Sequence, residues 1–233
     1  MQREVGQSTC LITGASSGIG REAALSLAAR GLKVLLVCRN RDRGEAVLAE
    51  IKKLNGPGRA CLFIADLSSQ SEVRQLALNV QSQVGGLNIL INNAGLVTNR
   101  RKVTSDGMEM ILAVNHLAPF LLTSLLYKQL KPSARIINVT SSAHRAGTIN
   151  LEDLHGERHW NVYKAYAQSK LANVLFTYEL SRRLRTKGIT ANCVHPGIVA
   201  TRIFNNTPLL ARLIILPMTV FFVSPSKLSL IHI

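Results

Sequence analysis

The chain has 233 residues, 47% of them hydrophobic and 18% charged, with 28 Lys and Arg against 13 Asp and Glu. That length suits one α/β domain with a sizeable core, and that composition excludes general disorder. The formal charge of +15 favours anionic partners, whether a phosphorylated cofactor, an acidic lipid headgroup or a nucleic acid, without choosing among them.

Apolar runs alternate with helix-period segments from one end to the other. Strands are expected near Ser8 to Thr13, Lys33 to Cys38, Ala60 to Ala65, Asn88 to Ile91, Arg135 to Val139 and Thr190 to Val194. Helices are expected near Ile19 to Arg30, Arg41 to Leu54, Gln70 to Val84, Met108 to Lys131 and Ala165 to Lys187. The strands read as continuous apolar runs, the pattern of a parallel sheet covered by helices on both faces, so the fold class is α/β, a Rossmann-type doubly wound sheet. No repeat or linker divides the chain, and residues 1–233 read as a single domain. The run LLARLIILPMTVFFV at 209–223 is the most apolar, but Arg212 and Pro217 interrupt it and it is shorter than the roughly 20 residues a spanning helix needs. A helix over a hydrophobic substrate cleft is preferred to an interfacial membrane helix.

Cys10, Cys38, Cys61 and Cys193 form no CxxC pair, which argues against a zinc site or a disulfide framework. They read as small hydrophobes in a reducing compartment. MQREVGQSTC has no apolar signal core, so the expected location is cytoplasmic, soluble or loosely membrane-associated. The basic excess after Glu179 weakly favours a membrane surface, and sparse aromatics rank nucleic acid last among partners.

TCLITGASSGIG places Gly14, Gly18 and Gly20 where a strand ends and a helix begins. Backbone NH groups there lack intrahelical partners and the helix dipole is positive, so a pyrophosphate fits. The absence of GK(S/T) disfavours an ATP or GTP loop. At the end of the second strand, where an NAD site usually carries an acid, Cys38 is followed by Arg39. A guanidinium suits a 2′-phosphate, so NADP(H) is the expected cofactor, with a solvated basic face of Arg39, Arg41 and Arg43 as the alternative. Further on, AYAQSK sets Tyr166 and Lys170 four apart on one helix face. A neighbouring ammonium favours the phenolate and would bring the tyrosine nearer to neutral-pH proton transfer. The strand end INVTSSAH adds hydroxyls at the same sheet edge.

With these motifs in this order, the chain resembles the short-chain dehydrogenase/reductase family, and within it the retinol dehydrogenase-like branch, over residues 8 to about 205. The resemblance implies cofactor contacts from Gly14, Ser16, Ser17, Gly18, Ile19 and Gly20, from Asp66 and Leu67 in ADLSS, and from Asn93, Ala94 and Gly95 in NNAG. It adds Pro196, Gly197, Val199 and Thr201 in HPGIVAT as the loop that holds the nicotinamide. It implies a catalytic set of Asn115, Ser141, Tyr166 and Lys170, with the phenol exchanging a proton with the substrate oxygen and Lys170 binding ribose hydroxyls. The implied reaction interconverts an alcohol and an aldehyde or ketone, on a hydrophobic substrate such as a retinoid, lipid aldehyde or steroid. A non-catalytic NADP(H)-binding regulatory or scaffold protein is the alternative. The resemblance also allows a homodimer and peripheral membrane contact.

Two departures stand out. Between Ser141 and Tyr166 lie 24 residues, an insertion holding Trp160 and the pair His155/His159, read as a surface loop. No metal is expected, because the histidines lack a third ligand and HExxH order. The ending SPSKLSLIHI departs from the family pattern, so residues 207–233 read as atypical and the last strand as missing.

Overall fold

The structure is a computed structural model that describes residues 8–54 and 59–196. In these residues β1 (Thr9–Thr13), β2 (Lys33–Cys38), β3 (Arg59–Ile64), β4 (Leu87–Asn92), β5 (Leu130–Val139) and β6 (Thr190–Val194) form one sheet in the order β3-β2-β1-β4-β5-β6. Every pairing is parallel. The winding reverses between β1 and β4, which opens a crevice beyond the carboxyl ends of the strands.

The dry faces of the sheet explain why its strands read as unbroken apolar runs. Cys10, Ile12, Val34 and Leu36 pack with Ala24 and Leu27 of α1 (Gly18–Ala29) and with Val47 and Ile51 of α2 (Arg41–Lys53). The intervening Leu11, Leu35 and Val37 point the other way, into Val73, Leu76 and Val80 of α3 (Gln70–Gln83) and Leu122 and Leu126 of a later helix. Alternation by twos therefore buries every residue of β1, one layer on each side.

The helix expected over Met108 to Lys131 is broken. It runs as α4 (Met110–Leu112), a π turn (Ala113–Leu117), α5 (Ala118–Leu126) and a 3-10 turn (Tyr127–Gln129), and β5 begins at Leu130, five residues before the expected Arg135. Pro119 supplies the reason. It has no N–H to give the carbonyl of Asn115 four residues back, and its ring crowds that carbonyl. The turn widens, and the Asn115 carbonyl accepts instead from Asn173 Nδ2 at 2.8 Å. Met110–Gln129 is long and apolar enough by composition to cross a bilayer, with mean hydropathy 1.6, yet Ile111, Leu112, Leu122 and Leu126 are buried inside the fold. It is a core helix.

The last helix, α6 (Val162–Leu184), starts three residues before the expected Ala165, because Asn161 caps it by accepting from the amides of Tyr163 and Lys164. The insertion before it is more than a surface loop. The Asp153 carboxylate gathers the amides of Glu157, Arg158 and His159, and Trp160 Nε1 donates to Oε1 of the buried Glu109 at 3.2 Å. His155 Nδ1 accepts from the Glu109 amide, so the insertion is fastened to the segment leading into α4.

Candidate active site

At the carboxyl end of β1 the chain enters the left-handed region at Gly14 (φ 68°) and again at Gly18 (φ 56°). A Cβ on Gly14 would lie 2.9 Å from Ala94 Cα, and one on Gly20 would lie 2.4 Å from Asn93 Nδ2 and 2.5 Å from the Gly14 carbonyl oxygen. The turn is therefore pressed directly against the end of β4. Asn93 Nδ2 donates to the Thr13 carbonyl at 2.9 Å, and Thr13 Oγ1 accepts from the amides of both Asn93 and Ala94. Thr13 was not among the expected site residues, although it directly precedes the first glycine.

The turn meets the requirements of a pyrophosphate. The side chains of Asn40, Ser69 and Asn161 cap α2, α3 and α6, whereas Ser17 at the start of α1 makes no side-chain capping bond and no acid sits in the first turn. Amides and a positive dipole end are left facing the crevice. At the end of β2, Arg39 is largely exposed and lies 3.8 Å from the Asp66 carboxylate. Asp66 also accepts from the Ser68 amide and hydroxyl. Leu67 packs its side chain against the core. Ser16 and Ile19 are half-buried in the turn, and Pro196 is half-buried just past β6. Gly197, Val199 and Thr201, the apolar run at 209–223 and the atypical tail lie outside the described residues.

Between β4, β5 and α6 the structure brings Asn115, Ser141, Tyr166 and Lys170 together. The Tyr166 phenol neighbours the Ser141 side chain, which favours its ionised form. Lys170 Nζ lies 5.6 Å from the centre of the tyrosine ring and donates to the Val139 carbonyl at 3.1 Å. A Cβ on Gly95 would sit 3.5 Å from that ammonium and 3.4 Å from Asn115 Oδ1, so this residue lies directly beside both groups. Asn115 is fully buried and its amide is fully engaged: Oδ1 accepts from the Leu96 amide at 2.8 Å, and Nδ2 donates to the Leu96 carbonyl and to Ser169 Oγ. Ser169, which donates to the Tyr166 carbonyl, and Asn173 were not expected here. Both lie on the Tyr166 face of α6, three and seven residues on, a spacing that could have shown them.

Burial sets the electrostatics. It raises the Tyr166 phenol above the usual tyrosine value, with the Ser141 hydrogen bond opposing. The expected lowering by the lysine is not what sets the phenol: burial raises it, and Ser141 is the group that opposes. Burial also lowers Lys170 to about 8, so the amine is still mostly charged at neutral pH. No carboxylate pairs with it among the described residues. A buried ammonium with one protein acceptor has donors left for hydroxyls, which suits a ribose. Behind the site Asn92, Thr123, Asn138 and Thr177 form a buried hydrogen-bonded ladder that ties β4 and β5 to α5 and α6.

Fold and site together define a dinucleotide-binding α/β domain with a tyrosine–lysine pair at the switch-point crevice. Residues 8–209 match the profile of the short chain dehydrogenases, and the chain belongs to that family. It is 44% identical over 199 residues to retinol dehydrogenase 11 of Homo sapiens, a stretch covering 84% of this chain and 63% of that protein. It is 44% identical over 205 residues to retinol dehydrogenase 12 of Bos taurus, covering 87% and 65%. The chain thus spans less than two thirds of the length of these relatives. Among solved structures, a short chain dehydrogenase from Burkholderia cenocepacia J2315 in complex with NADP superposes with a TM-score of 0.75 at 28% identity, over 95% of this chain and 87% of that one.

Proposed function

We propose that this chain is an NADP(H)-dependent oxidoreductase that interconverts an alcohol and an aldehyde or ketone, with a hydrophobic substrate. The observation that carries the reading is the Tyr166 ring 5.6 Å from the buried Lys170 ammonium, with Ser141 beside the phenol. NADP(H), when bound, supplies the hydride for reduction or accepts it for oxidation. Gly14, Ser16, Ser17, Gly18, Ile19 and Gly20 would hold its pyrophosphate, Arg39 its 2′-phosphate, Asp66 and Leu67 the adenine, and Asn93, Ala94, Gly95 and Lys170 the ribose beyond.

In reduction the phenol donates its proton to the carbonyl oxygen while Ser141 hydrogen-bonds that oxygen and keeps it on the phenol. The Lys170 ammonium then stabilises the phenolate until it is reprotonated. Burial raises the phenol above its usual value, which favours the protonated form that donates to a carbonyl oxygen. Asn115 positions the loop at Leu96 through its side-chain amide, and its backbone carbonyl, which accepts from Asn173, keeps a second lone pair for the water of a proton relay. The hydrophobic substrate class is supported by the likeness to retinol dehydrogenases. The chain is read as one domain acting on the cytoplasmic side.

The test is NADPH consumption by the purified protein with retinal, long-chain aldehydes and steroid ketones, each repeated with NADH. The reading expects turnover of an apolar carbonyl with NADPH and roughly tenfold or more weaker binding of NADH. Tight NADPH binding with no turnover of any carbonyl would favour a cofactor-binding module instead.

A further inference from the structure

Asn115 and Lys170 stand on different elements, and two side chains outside the reacting set join those elements. Pro119 withholds the N–H that the Asn115 carbonyl would meet in a regular helix, and Asn173 Nδ2 takes its place at 2.8 Å. Asn173 lies on α6, three residues after Lys170 and seven after Tyr166. Asn115 and Asn173 are both buried, so the bond is made away from solvent.

The far side of the Asn173 amide is fixed as well. The Asn115 carbonyl can only accept, so the Asn173 atom facing it is the nitrogen and the other is the oxygen. That oxygen lies 3.0 Å from His116 Nδ1 and can itself only accept, so His116 carries a proton on Nδ1. Burial lowers His116 from the ordinary histidine value, with the Asn173 bond opposing, which favours the neutral ring. Nδ1–H is then its tautomer, and Nε2 is bare.

Packing holds both residues in place. The imidazole stands nearly perpendicular to the Phe176 ring, at 85° with centroids 6.0 Å apart, and lies 6.3 Å from Phe120. The two phenylalanines meet at 5.2 Å, so α5 and α6 fix the histidine between them. On the Asn173 backbone, the carbonyl accepts from Thr177 Oγ1, which in turn accepts from Asn138 Nδ2 at 2.9 Å.

We propose that His116 and Asn173 are positioning residues for proton transfer: His116 Nδ1–H fixes the Asn173 amide, and that amide sets the direction of the Asn115 carbonyl, which holds the water that returns a proton to the phenolate. The inference rests on the reading of Tyr166 as proton donor, and it adds two side chains that act only through Asn115. A carbonyl accepts near its own plane, so turning it displaces the water it holds. A misplacement of about 1 Å lowers a rate by up to about 100-fold.

The experiment compares two His116 variants and one Asn173 variant of the full chain, in steady-state NADPH oxidation with an accepted aldehyde. His116→Phe keeps an aromatic ring in the cluster and loses the Nδ1–H, whereas His116→Asn puts an amide N–H where Nδ1 stood. Asn173→Asp keeps an acceptor for His116 and turns an oxygen toward the Asn115 carbonyl. His116→Phe and Asn173→Asp lower kcat by about tenfold or more, with KM for the aldehyde and NADPH affinity within about twofold of wild type. His116→Asn stays within about threefold of wild type. In the two slow variants the solvent isotope effect on kcat in deuterated water rises, and added imidazole restores part of the rate. Nitrogen NMR of the isotopically labelled, cofactor-free protein shows His116 as the Nδ1–H tautomer. The His116 pair decides the question by itself where Asn173→Asp does not fold. A histidine protonated on Nε2 alone overturns the proposal, as does a loss of kcat in His116→Phe that His116→Asn shares or that neither imidazole nor deuterated water alters. Turnover that depends on Tyr166 yet ignores every one of these variants overturns the proposal alone, whereas a wild-type protein that reduces no carbonyl overturns the reading beneath it as well.

Discussion

Gly20→Ala is a demanding test of how the phosphate turn is built, because two effects of opposite sign meet there. Gly20 lies inside α1 and has no positive φ, so propensity alone would have alanine stabilise the helix by up to about 1 kcal/mol. The added Cβ, however, would lie 2.5 Å from the Gly14 carbonyl and 2.4 Å from Asn93 Nδ2. The carbonyl is backbone and cannot swing aside, and moving Asn93 breaks its bonds to Thr13 and Gly14. Overpacking of roughly 1–3 kcal/mol and lost hydrogen bonds of about 1–2 kcal/mol exceed the helix gain, leaving a loss of about 3 kcal/mol. For a chain of this size that lowers Tm by roughly 6–12 °C, and NADPH should restore little of it because the turn is displaced. Gly85→Ala is the control, since its Cβ meets nothing within 4 Å. Thermal unfolding by circular dichroism, with and without NADPH, reads both. A Gly20→Ala melting point equal to wild type would mean that the turn is not pressed on β4 as described.

Arg39→Ala should weaken NADPH by about tenfold or more and leave NADH nearly unchanged, as read by titration of each cofactor; equal losses would place the guanidinium elsewhere. Lys170 has a folded pKa of about 8 against an ordinary value of 10.5, so between these pH values the unfolded chain holds the extra proton and stability rises with pH. That gain is complete above 10.5 and is lost as pH falls through about 8; denaturant melts of Lys170→Met should lack the rise, and an unchanged profile would contradict the burial of this amine. Glu109→Ala strands the Leu112 amide and the Trp160 indole N–H, which costs about 2–4 kcal/mol. Trp160 is the only tryptophan in the chain, so its emission should move to the red; an unchanged spectrum and melting point would mean that the insertion is not fastened there.

The sheet was legible because its physics is local. Two covered faces demand unbroken apolar runs, and Lys33–Cys38 and Thr190–Val194 appear with the bounds their residues suggest. The pairing of Tyr166 with Lys170 was equally open, since a spacing of four on a helix needs no tertiary knowledge. What stayed hidden depends on contacts distant in sequence. Pro119 warns of a break, but the turn it makes is completed by Asn173, 58 residues from Asn115. The insertion carries charged residues typical of a solvated loop, and only the buried Glu109 reveals that Trp160 is anchored. The tyrosine pKa went the other way for the same reason: a sequence shows a neighbouring amine, whereas desolvation follows from the packing around the ring.

The central claim is that Tyr166 moves the proton, and Tyr166→Phe tests it directly. The variant keeps the ring that packs beside Lys170 and loses only the hydroxyl beside Ser141. Stopped-flow NADPH oxidation with an accepted carbonyl, beside NADPH titration of the same preparation, should give a rate lower by roughly 10²–10⁴-fold with cofactor affinity unchanged. A variant that reduces the carbonyl at the wild-type rate would show that the proton comes from another group.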